Sequence, residues 1–171
     1  MSPPPDYVIV PLDRERHQRD AFACGNVTLD RYLALHAGQD LSRGVAAVFV
    51  ATRPREAAVL GYYTLSQASV PLAALSRAQQ KRLPRYPDVP VTLLGRLAVH
   101  RELHGQGLGA LLLGDAYRRV AAIAREVAST GLLVDAIDDD AVAFYAKFGF
   151  VAFAESPYRL FLAMRCVGGA K

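Results

Sequence analysis

The stretch HGQGLGALLLGDAYRRV, residues 104–120, most restricts what this chain can fold into. Glycine occupies every second position near its start, and a leucine-rich pattern with helical spacing follows at once. Glycine weakens the start of a helix, so this placement needs another reason. The first N–H groups of a helix lack internal partners, and the helix dipole favours negative charge there. We therefore predict a strand, a loop whose backbone binds phosphate, and a helix.

The glycine spacing separates this loop from two other phosphate loops. A nucleoside-triphosphate loop requires Gly-Lys-Ser/Thr, which is absent here. A dinucleotide-binding loop requires G-x-G-x-x-G early in a parallel βαβ unit, whereas this chain has G-x-G-x-G at 105–109, in its later part. A tight strand-to-helix turn that binds no ligand is the alternative.

Apolar periodicity predicts a mixed α/β domain without internal repeats or linkers. The N-terminal half contains a weakly helical segment at 14–22 and a helix capped by Asn26 or Thr28, with Leu29, Leu33 and Ala37 on one face. Two β-rich runs then form an antiparallel hairpin. The predicted strands cover residues 6–12, 44–53, 57–70, 91–100, 132–137, 150–154 and 158–166.

Three more helices are predicted in the rest of the chain. A helix of about twelve residues lies within 71–90 and is stopped by Pro84, and a short helix over 138–148 has aspartates in its first turn. The clearest helix runs from 108 to about 128, and Gly131 supplies its stop. Its buried stripe consists of Leu108, Leu112, Ala116, Val120, Ile123 and Val127.

Composition indicates one globular domain over 1–171, with a core of about 6–166. The longest apolar run, VAAVFVA, is too short to span a bilayer, and MSPPPD shows no secretion signal. Cys24 and Cys166 are too few for a disulfide framework, so a cytoplasmic location is expected. The formal net charge of +4 permits an anionic partner.

The segment RLAVHRELHGQGLGALLL resembles the acetyl-CoA motif of the GCN5-related N-acetyltransferases (GNAT), Arg/Gln-x-x-Gly-x-Gly/Ala. His104 departs from the usual Arg or Gln, which affects one side-chain contact and leaves the backbone cradle intact. The resemblance implies a GNAT-type domain, with a mostly antiparallel mixed sheet flanked by helices, that uses acetyl-CoA and no metal. The implied cofactor-binding residues are Leu97, Ala98, Val99, His104, Gly105, Gln106, Gly107, Leu108, Gly109, Ala110, Phe144 and Phe148.

The segment AVAFYAKFGF resembles the C-terminal signature of that family, in which a helical tyrosine lies beside the cofactor sulfur. This implies a catalytic role for Tyr145. Phe144 and Phe148, four residues apart, are expected to mark the packing face, with Tyr145 about 100° round the helix from Phe144. A core tyrosine with a satisfied hydroxyl is the alternative. Proton transfer from tyrosine to a thiolate is uphill by roughly 2 kcal/mol, which favours a hydrogen bond.

Four further segments resemble the toxin branch of this family: FACGNVTLDRYL, QDLSRGVAAVFVA, LPRYPDVPVTLLGRLAVH and VDAIDDDAVAFYAKFGF. The resemblance implies acetylation of the α-amine of aminoacyl-tRNA, which blocks translation, and inhibition by a ribbon-helix-helix antitoxin. Family members are often dimers, so a homodimer is also expected. An acetyltransferase for a small amine or a protein N-terminus, and a non-enzymatic partner-binding module, are the alternatives.

No strong general base is apparent in the sequence. Glu102, Asp135 and Glu155 are candidates, whereas the aspartates at 138–140 are expected to cap a helix. Keeping a lysine amine neutral at pH 7 costs roughly 4.6 kcal/mol, against about 1 kcal/mol for an α-amine. A site without a dedicated base therefore suits an α-amine.

Basic residues in the 71–90 segment indicate a second candidate site. Arg77, Lys81 and Arg85 are spaced by four, Arg82 is adjacent, and Tyr86 is available for stacking. We predict that they contact the RNA phosphate backbone. A solvated surface without a ligand is the alternative.

Overall fold

The computed structural model describes residues 6–164, which form two compact units. The first unit comprises residues 6–66 and Gly95–Tyr117, and the second comprises Gln67–Leu94 and residues 118–164. The predicted end of the last strand, at Cys166, lies outside the described residues. None of the helices in the described part of the chain is long and apolar enough to cross a membrane.

The described residues contain seven strands: β1 (Val8–Pro11), β2 (Ala47–Thr52), β3 (Gly61–Pro71), β4 (Asp88–Val99), β5 (Gly131–Asp135), β6 (Val151–Phe153) and β7 (Ser156–Ala163). They form one sheet in the order β1-β2-β3-β4-β5-β7-β6. Within the first unit, β2 pairs antiparallel with β1 and β3; within the second, β5 is parallel to β4 and β7 is antiparallel to β5 and β6. The predicted mixed, mostly antiparallel sheet is confirmed.

The helices are short except for one of sixteen residues. A π-helical turn, Tyr32–His36, joins the first two, and 3₁₀ turns occur at Leu72–Ala74 and Arg101–Leu103. The α-helices are α1 (Val27–Arg31), α2 (Ala37–Ser42), α3 (Arg77–Gln80), α4 (Leu108–Ile123) and α5 (Asp139–Lys147).

The start of α1 confirms one of the two predicted caps. The side chain of Asn26 accepts hydrogen bonds from the amides of Thr28, at 3.0 Å, and Leu29, at 3.2 Å. Asn26 is therefore the N-cap, and Thr28 lies inside the helix. Leu33 and Ala37 are fully buried as predicted, in a core that also contains Tyr62 of β3 and Ala98 of β4.

The segment before α1 is not helical, contrary to the prediction for 14–22. The Asp13 carboxylate accepts hydrogen bonds from the amides of Glu15 and Arg16, which forms a turn. The backbone of Gln18 pairs with the chain around Ala58. These side-chain and tertiary hydrogen bonds replace the helical ones.

The 71–90 segment contains far less helix than the predicted twelve residues. Only α3 is α-helical, and a 3₁₀ turn precedes it. Ser76 and Gln79 form a reciprocal capping box that starts a new helix within the predicted one. The segment therefore consists mostly of turns.

The long helix α4 ends earlier than predicted. Its stripe is buried from Leu108 to Val120, but Ile123 is 42% exposed and Val127 is 49% exposed, so these two predictions are wrong. The carbonyl of Ile123 accepts from two later amides, which closes a turn. Gly131 starts β5 instead of stopping the helix, and a side chain there would collide with Phe161.

Candidate active site

The glycine loop between β4 and α4 requires glycine for its conformation. Gly105 has φ 74° and Gly107 has φ 89°, in the left-handed region that L side chains disfavour. A Cβ added at either residue would meet no atom within 4 Å. The backbone dihedral angles, and not crowding, therefore explain these two glycines.

The loop leaves a row of backbone donors free. Among residues 6–164, the amides of 105–110 donate no well-formed hydrogen bond, and the first amide of this stretch with a close acceptor is that of Leu111, which donates to Gly107 at 3.1 Å. These donors lie at the N-terminus of α4, the positive end of its dipole. Such an arrangement can hold the phosphate groups of a cofactor.

Side chains fix this loop to the end of β4. Nε2 of His104 lies 2.8 Å from the carbonyl oxygen of Val99. Because a carbonyl can only accept, Nε2 carries the hydrogen. Gln106 donates to the carbonyl of Glu102 at 3.2 Å. His104, which departs from the family motif, therefore has a structural contact within the loop.

The other residues predicted to bind the cofactor lie in two different units. Ala98 and Val99 are buried, Leu97 is partly buried, and the loop up to Ala110 follows them in the first unit. Phe144 and Phe148 belong to α5 in the second unit.

Tyr145 is the buried residue of α5, only 7% exposed. Its ring lies 5.2 Å from that of Phe144 and 5.3 Å from that of Phe150, between ring centroids. No hydrogen bond to another described residue engages its hydroxyl. Burial raises the pKa of the Tyr145 phenol well above its ordinary value. The hydroxyl is therefore a protonated donor at neutral pH.

The prediction that Phe144 and Phe148 mark the packing face of α5 is wrong. Phe148 is the C-cap residue and is 42% exposed, whereas Tyr145 is buried. The chain reverses at Gly149, with φ 91°, and Phe150 then occupies the core position beside Tyr145. The tyrosine therefore packs inward, and Phe148 lies at the surface.

The candidate bases do not form an evident proton acceptor. Asp135 makes two hydrogen bonds with Arg159, at 2.8 and 3.1 Å, and this pair raises the pKa of Arg159. Glu102 and Glu155 are exposed. Asp138 is the N-cap of α5, as predicted for the aspartate run. No group of three His, Cys, Asp or Glu side chains that could hold a metal occurs within 6–164.

The predicted RNA-binding residues are all exposed, but they line two different depressions of the second unit. Arg77, Lys81 and Arg85 line one of about 730 Å³, together with the 67% exposed ring of Tyr86. Arg82 lines a separate, largely apolar cavity of about 980 Å³.

Arg96 of β4 was not among the predicted site residues. It is partly buried, and its guanidinium carbon lies 3.5 Å from the centre of the Tyr32 ring. The available signal was a single arginine inside the otherwise apolar pattern VTLLGRLAV.

Comparison with known proteins adds to this geometry. Residues 44–152 match the family model described as Acetyltransferase (GNAT) domain. The tRNA-acetylating toxin of Mycobacterium tuberculosis (strain ATCC 25618 / H37Rv) is 37% identical over 145 residues, 85% of each chain.

Two solved structures of the AtaT toxin are also similar. AtaT complexed with acetyl-methionyl-tRNAfMet has a TM-score of 0.85 and 33% identity, covering 92% of this chain and 95% of that one. A tyrosine-to-phenylalanine mutant of AtaT, bound to the C-terminus of the antitoxin AtaR and to acetyl-CoA, has a TM-score of 0.79 and 28% identity, with 92% and 93% covered. The present chain belongs to the GNAT acetyltransferase family.

Proposed function

We propose that this protein is a toxin that transfers the acetyl group of acetyl-CoA to the α-amine of aminoacyl-tRNA and thereby blocks translation. The observation that carries the proposal is the loop with free amides at 105–110, on a chain of the GNAT family. Its similarity to a tRNA-acetylating toxin and to AtaT bound to an acetylated tRNA supports the acceptor. Such a toxin acts where translation occurs, in the cytoplasm.

In the proposed reaction, the neutral amine attacks the thioester carbonyl. The C–N bond forms, the C–S bond breaks, and the sulfur leaves as a thiolate. The free amides of 105–110 hold the cofactor phosphates, and Leu97, Ala98 and Val99 bind its pantetheine arm. Phe144 and Phe148 complete the cofactor contacts from α5.

Tyr145 stabilises the leaving thiolate by donating a hydrogen bond from its hydroxyl. Complete proton transfer is uphill already at the reference pKa values, and burial raises the pKa of Tyr145 further. The proton of the thiol comes instead from the amine, after attack. A donor aimed at developing charge contributes about 10²–10³ to kcat.

The acceptor amine is proposed to be an α-amine because it needs little help to lose a proton. Asp135 is ion-paired with Arg159, so it does not offer a free carboxylate. An α-amine is partly neutral at pH 7, unlike a lysine side chain. This makes charged tRNA a better acceptor than lysine for a site without an evident base.

The deciding experiment combines purified protein, acetyl-CoA and a pool of charged tRNA. Ribonuclease digestion and mass spectrometry then detect acetylated aminoacyl-adenosines. We expect an acetyl mass on one or a few of them. Acetyl-CoA binding without any added mass would contradict the proposal and point to a small-amine acceptor.

Tyr145→Phe tests the role of the hydroxyl. We expect kcat to fall about 10²-fold, while acetyl-CoA affinity stays within a factor of about three, because the lost hydrogen bond acts on developing charge. Tyr158→Phe is the matched control, since it removes an exposed hydroxyl that donates to Asp139 in the same unit. Wild-type turnover in Tyr145→Phe would refute the role.

The basic residues of the 71–90 segment are proposed to contact the tRNA backbone. Reversing the charges of Arg77, Lys81 and Arg82 should weaken tRNA binding at least tenfold and reduce its salt dependence. The control variant reverses the charges of Arg16, Arg43 and Arg53, which are exposed and lie outside the 71–90 segment. Its net charge changes by the same amount. Equal losses in both variants would show only an effect of net charge.

An antitoxin partner is proposed because AtaT forms a complex with AtaR. We propose that the partner of this protein is a ribbon-helix-helix protein and that the free toxin is a homodimer. Expression should arrest growth, and coexpression of a small ribbon-helix-helix protein from an adjacent gene should restore it. Light scattering of the purified toxin measures its oligomeric state.

A further inference from the structure

Arg96 is an unusual side chain for the interior of a strand. It is partly buried on β4, directly before the cofactor-strand residues 97–99. Within residues 6–164 it forms no ion pair, and none of its N–H groups is hydrogen-bonded. A guanidinium has five donors and is always charged. A partly desolvated arginine without a carboxylate partner is therefore ready for an anionic ligand.

The ring of Tyr32 holds this guanidinium in place. The guanidinium carbon of Arg96 lies 3.5 Å from the ring centre, which leaves its in-plane N–H groups at the edge. The ring itself is fixed, because the Tyr32 hydroxyl donates to Asp40 at 2.8 Å and its face stacks on Tyr62. Tyr32 also begins the π-helical turn, a feature often found at functional sites.

Arg96 lies on the face of the first unit that is opposite to α4. Gly61 and Tyr63 of β3 face α4, since a Cβ at Gly61 would lie 2.9 Å from Leu112 and the Tyr63 hydroxyl donates to Asp115. Tyr62, between them, points the other way and packs with Tyr32. The anion at Arg96 is therefore different from the one held by the glycine loop and α4.

Two other arginines lie on the same side, where the Tyr32 hydroxyl also donates to Asp40. Arg14 and Arg19 lie against Gly38 of α2, where an added Cβ would come within 2.8 Å and 3.3 Å of their guanidinium nitrogens. The Arg19 guanidinium also donates to the carbonyl of Leu33, in the turn that contains Tyr32. With Arg96, these residues are three arginines against the carboxylates of Asp30 and Asp40, and this excess of positive charge favours a polyanion over an isolated carboxylate.

We propose that Arg96, held on the ring of Tyr32, binds a phosphate of the single-stranded 3′ end of the acceptor tRNA. The inference rests on the proposed function, which has two anionic substrates, acetyl-CoA and tRNA. Acetyl-CoA is assigned to the glycine loop and α4, so the tRNA is the substrate left for the face that carries Arg96. Arg96 is thus a positioning residue, which brings the aminoacyl end to the cofactor strand and takes no part in bond breaking.

The test measures binding of one uncharged tRNA by fluorescence anisotropy, with its 3′ CCA present or removed. We expect Arg96→Gln to weaken binding of the intact tRNA about tenfold and binding of the trimmed tRNA less than twofold, as for one lost charge-assisted contact. The slope of log affinity against log salt should fall by about 0.7 for intact tRNA only. Arg53→Gln, an exposed arginine after β2, is the matched control and should show no dependence on CCA.

Three outcomes would overturn the inference. Equal losses for intact and trimmed tRNA would show a general charge effect, and unchanged binding would show no contact. A loss of acetyl-CoA affinity in Arg96→Gln, measured by calorimetry, would assign Arg96 to the cofactor. If Arg96→Gln unfolds, Arg96→Lys keeps the charge but loses the planar fork, and it should show a smaller loss confined to intact tRNA.

Because the tRNA in this test is uncharged, its outcome is independent of acetyl transfer. Dependence on CCA without acetylation of any charged tRNA would support the Arg96 contact and refute the proposed function. Acetylation of charged tRNA, with an Arg96→Gln effect that does not depend on CCA, would support the proposed function and refute the Arg96 contact. When transfer occurs, Arg96→Gln should raise KM for charged tRNA more than it lowers kcat.

Discussion

At the scale of single residues, glycine has different roles along this chain. Gly105 and Gly107 supply left-handed dihedral angles in open space, whereas Gly131 makes room for Phe161. A sequence shows where glycine is, but its neighbours in space decide which role it has. The loop glycines were predictable because they alternate before a helix; the role of Gly131 depends on β7, about thirty residues later in the chain.

Gly105→Ala should impair cofactor binding beyond its cost in stability. A non-glycine residue at this φ costs about 1–2 kcal/mol, and relief of that strain would move the free amides. We expect about a tenfold loss of acetyl-CoA affinity, measured by calorimetry. The control is Gly44→Ala, which has φ 70° and equally open space. Denaturation should give similar losses of stability, so an equal loss of acetyl-CoA affinity in both would contradict the role of the loop.

At the scale of elements, capping residues predicted where helices begin more accurately than apolar periodicity predicted where they end. Asn26 and Asp138 cap α1 and α5 near their predicted starts. By contrast, α4 ends before Val127, and the predicted twelve-residue helix is reduced to α3. Caps depend on neighbours within three residues, whereas a helix continues only while tertiary contacts reward it.

Asn26→Ala should destabilise the protein by about 1 kcal/mol, because two amides of α1 lose their acceptor. Thr28→Ala, inside the same helix, should lower the unfolding free energy by only a few tenths of a kcal/mol. Urea unfolding of both variants measures the difference. A larger loss for Thr28→Ala would show that the cap is assigned to the wrong residue.

At the scale of the whole molecule, the net charge of +4 is consistent with a polyanionic substrate. The fold also buries one ionisable side chain, that of His17. His17 is 6% exposed; its Nδ1 accepts from the amide of Asp13, and its Nε2 has no partner among residues 6–164. Desolvation, and then the neighbouring charge of Arg16, lower the pKa of His17 below its ordinary value. The folded protein therefore keeps this imidazole neutral.

This burial predicts that stability falls in mild acid. Because the unfolded chain protonates His17 at higher pH than the folded protein does, the unfolded state binds more protons as pH drops through about 6.5. The stability that the folded protein has with a neutral His17 is therefore present above that pH and is lost below it. The unfolding free energy falls by at most about 1.4 kcal/mol per pH unit from this group. His17→Gln should flatten the dependence of the unfolding free energy between pH 7 and 5. His36→Gln, an exposed control, should not; equal slopes in wild type and His17→Gln would refute the assignment.

Much of the fold and part of the candidate site could be predicted from the sequence. The structure has the alternating glycines before a leucine-rich helix and the strand that precedes them. It also has a cap at Asn26, one of the two predicted residues, and another at Asp138, within the predicted run 138–140. They were predictable because backbone dihedral angles and capping hydrogen bonds involve residues close together in the chain.

The tertiary structure alone decided which side of a helix or strand is buried. Tyr145 packs inward while Phe148 is exposed, because Phe150 occupies the core after the chain reverses at Gly149. Arg96 rests on Tyr32, more than sixty residues earlier, and Asp135 pairs with Arg159. These contacts join distant parts of the chain, so their presence depends on the folded arrangement and not on local spacing.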